Sequence, residues 1–127
     1  MIVGLGIDLV DVSRVERLIA RHADRALRRL FTPGEIAYAR ARARPAMHYA
    51  VRLAAKEAAY KALAGNDLAR GIGWTELEVV AREGSRPSIE LHGVAFTRVQ
   101  QLGARMVHLS LTHTDTTAAA VVVLEAP

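Results

Sequence analysis

The chain has 127 residues and a formal net charge of +4, enough length for one domain with a modest core. Hydrophobic residues make up 51% and charged residues 24%, which excludes a disordered chain. The absence of cysteine excludes disulfides, thiol catalysis and Cys-ligated zinc, and fits a reducing compartment.

In chain order, Ile2–Ile7 is a short apolar run interrupted by Gly4 and Gly6, which predicts a buried strand ending at Asp8. The opening lacks a basic stretch, and Asp8 comes too early for a signal peptide, so a cytoplasmic location is expected. No window of about 18 apolar residues occurs, so no membrane span is expected. Ser13-Arg14-Val15-Glu16 reads as a capping box opening a helix to about His22, with Val15, Leu18 and Ile19 on one side and Arg14, Arg17 and Arg21 on another. Thr32-Pro33-Gly34-Glu35 is a second capping box, with Pro33 at the first helical position, for a helix to about Arg42. A longer helix follows over roughly Ala46–Ala64, and Gly65, Gly71 and Gly73 mark an irregular connection.

Beyond this point the period shortens. Leu77–Ala81 and Ser88–Leu91 read as strands, and Val94–Leu102 as a short helix closed by Gly103. Met106–Thr112 alternates, with Val107, Leu109 and Leu111 opposite His108, Ser110 and Thr112, and pairs with Thr117–Leu124 as a hairpin. One strand, then helices, then strands predicts an α+β fold in a single domain over 1–127.

Charge is uneven. Residues 14–44 carry nine arginines against Glu16, Asp24 and Glu35, a net of +6, so an acidic partner or phosphorylated ligand is expected there. Asp8 reads either as a turn residue or as a functional loop carboxylate. Glu57 and Lys61, four apart on one helix, read either as an exposed pair or as parts of a site. Two carboxylates suit Mg²⁺, which takes one or two of them and fills its shell with water and phosphate oxygens. Lys61 would then meet the phosphate as a point charge. His108 and His113 suit either an anion-binding edge or a solvated one. No HExxH, Walker or GxGxxG spacing is present. A metal-dependent nuclease is disfavoured by the helical spacing of Glu57 and Lys61. A nucleic-acid-binding module is disfavoured because residues 14–44 offer only Phe31 and Tyr38 for stacking.

The segments GLGIDLVDVSRVERL (4–18), FTPGE (31–35), RLAAKEAAYKAL (52–63), GIGWTELEV (71–79), GSRPSIELHG (84–93) and HLSLTHTDTTAAAVVVLE (108–125) together resemble the holo-[acyl-carrier-protein] synthase type of 4′-phosphopantetheinyl transferase. The resemblance implies Mg²⁺-dependent transfer of phosphopantetheine from coenzyme A to a serine of an apo-acyl carrier protein. It implies Asp8 and Glu57 as metal ligands and Lys61 as a phosphate-binding lysine. Arg44, Arg52 and His108 fall at coenzyme A phosphate contacts, Pro87 at the adenine end, and Ser110, Thr112 and His113 near the nucleotide. Arg14, Arg17, Arg21 and Arg25 fall on the helix that docks the carrier. A homotrimer with sites between subunits is implied, with neither nucleic acid nor membrane as a partner. Three positions depart from the common pattern: Leu53 for an aromatic, Ala64-Gly65-Asn66 for Gly-Thr-Gly, and Thr117 for a frequent tyrosine.

Overall fold

The computed structural model describes residues 1–127. Strand β1 (Ile2–Asp11) leads into helix α1 (Val12–Leu30), followed by α2 (Pro33–Arg40), α3 (Pro45–Leu63) and the short α4 (Asp67–Arg70). Strands β2 (Leu77–Val80) and β3 (Ser88–Leu91), helix α5 (Gly93–Gln101), and strands β4 (Met106–His113) and β5 (Thr117–Glu125) complete the chain. The architecture is α+β with two antiparallel sheets, one ordered β1-β5-β4 and the other β2-β3.

Helix α3 is the centre of the core. Its alanines 50, 54, 55, 58 and 59 are almost wholly buried, as are Tyr49, Leu53 and Leu63. Small side chains let α3 lie close against the large sheet, whose inner face presents Val10, Ala118, Ala120, Val122 and Leu124. Gly4 and Gly6 permit the closest approach: a Cβ on Gly6 would overlap the Ala58 carbonyl, and one on Gly4 the Ala62 carbonyl. Gly6→Ala is therefore expected to cost about 3 kcal/mol or more, read as a fall in the urea midpoint.

Two entry signals behave differently. Thr32 accepts from Glu35 N–H while Glu35 accepts from Thr32 N–H, so the second capping box forms as expected. The first does not: α1 begins at Val12 with Asp11 as its N-cap, and Ser13 already lies inside the helix. Helix α1 also continues to Leu30, but only across a break at Ala23, whose φ of 44° and ψ of −129° lie outside the helical region. The expected end near His22 coincides with that break, and a non-glycine residue held there carries local strain.

Strand β1 is longer than expected and is buried on one face alone. Asp8 sits within it, paired with Ala120 of β5, rather than in a loop beyond it. Its odd-numbered residues Leu5, Ile7 and Leu9 are 62–67% exposed. The register places Val123, Val121 and Ala119 beside them, and His108, Ser110 and Thr112 beyond. No helix of the chain is long and apolar enough to cross a membrane.

Candidate functional site

Alternation in β1 turns Asp8 toward α3, where residues 57 and 61 share one helical face. Of the two readings of Glu57 and Lys61, the exposed pair does not form. Lys61 Nζ reaches across to Asp8 Oδ1 at 2.9 Å and the Ile7 carbonyl at 3.1 Å, while Arg14 from α1 donates to Glu57 Oε1 at 3.2 Å. Three elements thus converge on two carboxylates and two cations.

The two carboxylates act on each other's ionisation. Burial pushes Glu57 up to about 7, with the hydrogen bond and charge of Asp8 adding to the rise and Arg14 opposing it. Burial also opposes ionisation of Asp8, but hydrogen bonding with Glu57 and the Lys61 ammonium outweigh it, and its carboxyl falls below the usual range. Asp8 Oδ2 is buried with no hydrogen-bond partner. Such an oxygen is costly to leave unanswered, and beside a second carboxylate a hard divalent cation answers it. This donor set fits Mg²⁺, which would take Asp8 and Glu57 as ligands.

A cavity of about 410 Å³ opens beside Glu57. Leu18, Leu30, Leu53 and Trp74 line it together with Arg14, Arg17 and Arg21. Arg25 lines the adjoining cavity along the same helix.

The remaining expected residues are not gathered at this point. Arg44 caps the start of α3, 3.8 Å from Glu16. Arg52 is buried against Tyr38. Pro87 is exposed in the β2–β3 connection. His108, Ser110 and Thr112 lie on the outer face of the sheet, the side away from Asp8, and His108 pairs with Glu125 at 3.0 Å. His113 ends β4, its Nδ1 3.3 Å from the Thr114 carbonyl. One chain alone therefore splits the expected nucleotide contacts from the paired carboxylates.

Sequence reading missed two polar groups. Lys56 and Glu35 form a fully buried ion pair at 2.7 Å. Helical phase carried the signal for Lys56, which sits among the buried alanines of α3. Glu78, Glu90 and His92 bring ligating atoms within 4.8 Å of one another on the small sheet. There, Thr32 and His92 occupy Glu78, and Arg82 reaches Glu90 at 3.4 Å.

With this geometry in view, the chain matches the 4′-phosphopantetheinyl transferase superfamily model over residues 4–121. It is 52% identical to a holo-[acyl-carrier-protein] synthase of Alkalilimnicola ehrlichii, with 98% of each chain covered. A holo-[acyl-carrier-protein] synthase from Neisseria meningitidis superposes with a TM-score of 0.85 at 26% identity, covering 98% of this chain and 99% of that one. A holo-(acyl-carrier-protein) synthase from Bacillus anthracis in complex with coenzyme A (3′,5′-ADP) superposes at 0.78 with 30% identity, covering 100% and 99%.

Proposed function

The chain belongs to the 4′-phosphopantetheinyl transferase superfamily, and from that premise we propose that it moves the phosphopantetheine arm of coenzyme A onto a serine of an apo-acyl carrier protein. The serine oxygen bonds to the phosphorus bearing pantetheine while the bond from that phosphorus to adenosine 3′,5′-bisphosphate breaks. The observation that carries the reading is the pair Asp8 and Glu57, with one buried oxygen unanswered and Lys61 alongside.

In this reading Asp8 and Glu57 hold Mg²⁺, which when bound supplies charge neutralisation at the coenzyme pyrophosphate. The chain's own groups do the rest. Lys61, with 55% of its side chain exposed, turns an N–H toward a phosphate oxygen once Asp8 is otherwise engaged. Arg14 is equally exposed, and would be free to meet an anion wherever Glu57 serves as a metal ligand. Arg14, Arg17, Arg21 and Arg25 form the surface for the acidic carrier, and steer its approach more than they set its affinity. The cysteine-free chain suits a reducing cytoplasm.

The open face of the large sheet supports a homotrimer. Leu5, Ile7 and Leu9 would be covered by neighbouring copies. Assembly would then carry His108, Ser110 and Thr112 of one copy toward the carboxylates of the next, joining what one chain separates. Arg44, Arg52, Pro87 and His113 complete the proposed coenzyme contacts. Leu5→Lys is expected to leave a folded monomer with little transfer activity, checked by sedimentation equilibrium beside an activity assay.

Intact-protein mass spectrometry tests the reaction. Apo-acyl carrier protein with this chain, coenzyme A and Mg²⁺ is expected to gain one phosphopantetheine group, and EDTA to abolish the gain. No gain on a panel of apo-carriers would sink the reading.

A further inference from the structure

Helix α3 ends without a cap of its own. Ala64 leaves it with ψ of 166°, and the one bond closing its final turn, from Ala64 N–H to the Lys61 carbonyl, is long at 3.4 Å. The last carbonyls of a helix have no partner inside it and carry the negative end of its dipole. Here the partner arrives from α5. Arg98 Nε donates to the Leu63 carbonyl at 2.7 Å, and Nη2 to the Ala64 carbonyl at 3.1 Å. Arg98 is only 8% exposed, and its remaining bond, 3.5 Å from Nη1, goes to Gln101 Oε1. No carboxylate is among these partners, so the end of α3 is the counter-charge of a nearly buried guanidinium. Gln101 Oε1 also receives Asn66 Nδ2 at 3.0 Å, which ties the connection after α3 to the same helix.

The turn held in this way carries Lys61. Lys61 Nζ spans to β1, where it meets Asp8 Oδ1 and the Ile7 carbonyl. A long, exposed side chain is aimed only as well as the backbone beneath it, and unanswered carbonyls fray the last turn of a helix. We propose that Arg98 is a positioning residue for Lys61: its guanidinium on the C-terminus of α3 fixes the turn from which Lys61 reaches Asp8 and the coenzyme phosphate. The phosphate half of this statement rests on the transferase reading above, and the capping half on geometry alone. Glu57 lies a full turn earlier, and Lys56 is bound to the Trp74 and Leu77 carbonyls, so fraying at Leu63 reaches neither.

The chain has two lysines, Lys56 and Lys61, so lysine labelled with ¹³C at Cε gives one NMR signal for each. Relaxation of Cε reads side-chain order without reference to activity. In Arg98→Met, Lys61 is expected to lose order while the buried Lys56 keeps its own. Arg98→Gln retains an amide donor for one carbonyl; it is expected to fall between, and it carries the measurement should Arg98→Met fail to fold. An unchanged Lys61 signal in both variants overturns the proposal. So does equal loss at Lys56 and Lys61, which marks general loosening of α3.

The mass-spectrometric assay reads the second half. Arg98→Met is expected to slow transfer about 100-fold, the cost of a small displacement made far from the chemistry. In a Lys61→Met background the same change is expected to alter the rate by less than about twofold, because both act on one group. Equal losses in the two backgrounds overturn the proposal, as does full transfer by a variant whose Lys61 has lost its order. Absent transfer in the wild type, with the Lys61 response intact, removes the transferase reading alone.

Discussion

Glu57→Gln and Asp8→Asn are each expected to lower transfer by more than about 100-fold, because outer partners of metal ligands alone are worth 10–100-fold. Glu57→Gln should not weaken the fold, because burial and the neighbouring Asp8 both disfavour the Glu57 carboxylate. Asp8→Asn gives up the charge that Lys61 answers. Urea denaturation should place Glu57→Gln at or above the wild-type midpoint and Asp8→Asn somewhat below it.

The pH profile tests the same pair. Glu57 is raised from 4.5 to about 7 in the folded chain. Its contribution to stability is complete below pH 4.5 and is lost as pH rises through about 7. Wild-type stability should therefore fall across that window more steeply than that of Glu57→Gln. Asp8 is lowered, so its contribution is present above the ordinary carboxylate range and is lost on acidification through its folded value. The two protons belong to the pair as a unit. Mg²⁺ should shift the wild-type midpoint upward and release a proton near neutral pH, with both effects absent in Glu57→Gln. An active Glu57→Gln protein would remove the ligand assignment.

The largest loss of stability is expected at Lys56 and Glu35. Lys56 Nζ donates to Glu35 Oε1 at 2.7 Å and to the Trp74 and Leu77 carbonyls at 2.9 Å. Glu35 also receives the Thr32 and Val79 amides. Four backbone groups, from the N-cap of α2, the segment entering β2 and β2 itself, are thus answered by two side chains. Lys56→Met and Glu35→Ala should each cost about 3–5 kcal/mol, because either leaves a buried charge without its partner. Glu35→Gln keeps one acceptor oxygen and should cost less. The double variant Lys56→Met/Glu35→Gln should fall short of the sum of its single changes, since both act on one network. Additive losses would show that the pair is not coupled.

Residues with local physical causes were legible in the sequence. The Thr32–Glu35 box, Pro33 at a helix start, Gly103 with φ of +70° after α5, and the alternation of β4 depend on near neighbours. Errors fell where a distant element decides. Asp8 looks like the end of a strand because a charge interrupts an apolar run. Yet β5 pairs with residues on both sides of it, and α3 supplies its partner. Ser13 fits a capping box by spacing, but Val12 N–H donates to the Thr116 carbonyl, and α1 starts there instead. The face-sharing of Glu57 and Lys61 was visible; their separate partners, Arg14 and Asp8, arrive from α1 and β1. Lys56 could have been suspected from phase alone, but its acceptors lie 18 to 21 residues downstream.

Gly4 and Gly6 do more than admit a helix. Asp8 sits two residues beyond Gly6, and Glu57 directly precedes Ala58, whose carbonyl rests on Gly6. The gap between the two carboxylates is consequently gauged by backbone touching backbone, with no flexible side chain in between to absorb error. A site gauged in this way has a tolerance set by one missing methyl group. Repacking elsewhere in the core can change how firmly the chain stands, while the spacing of its carboxylates stays fixed.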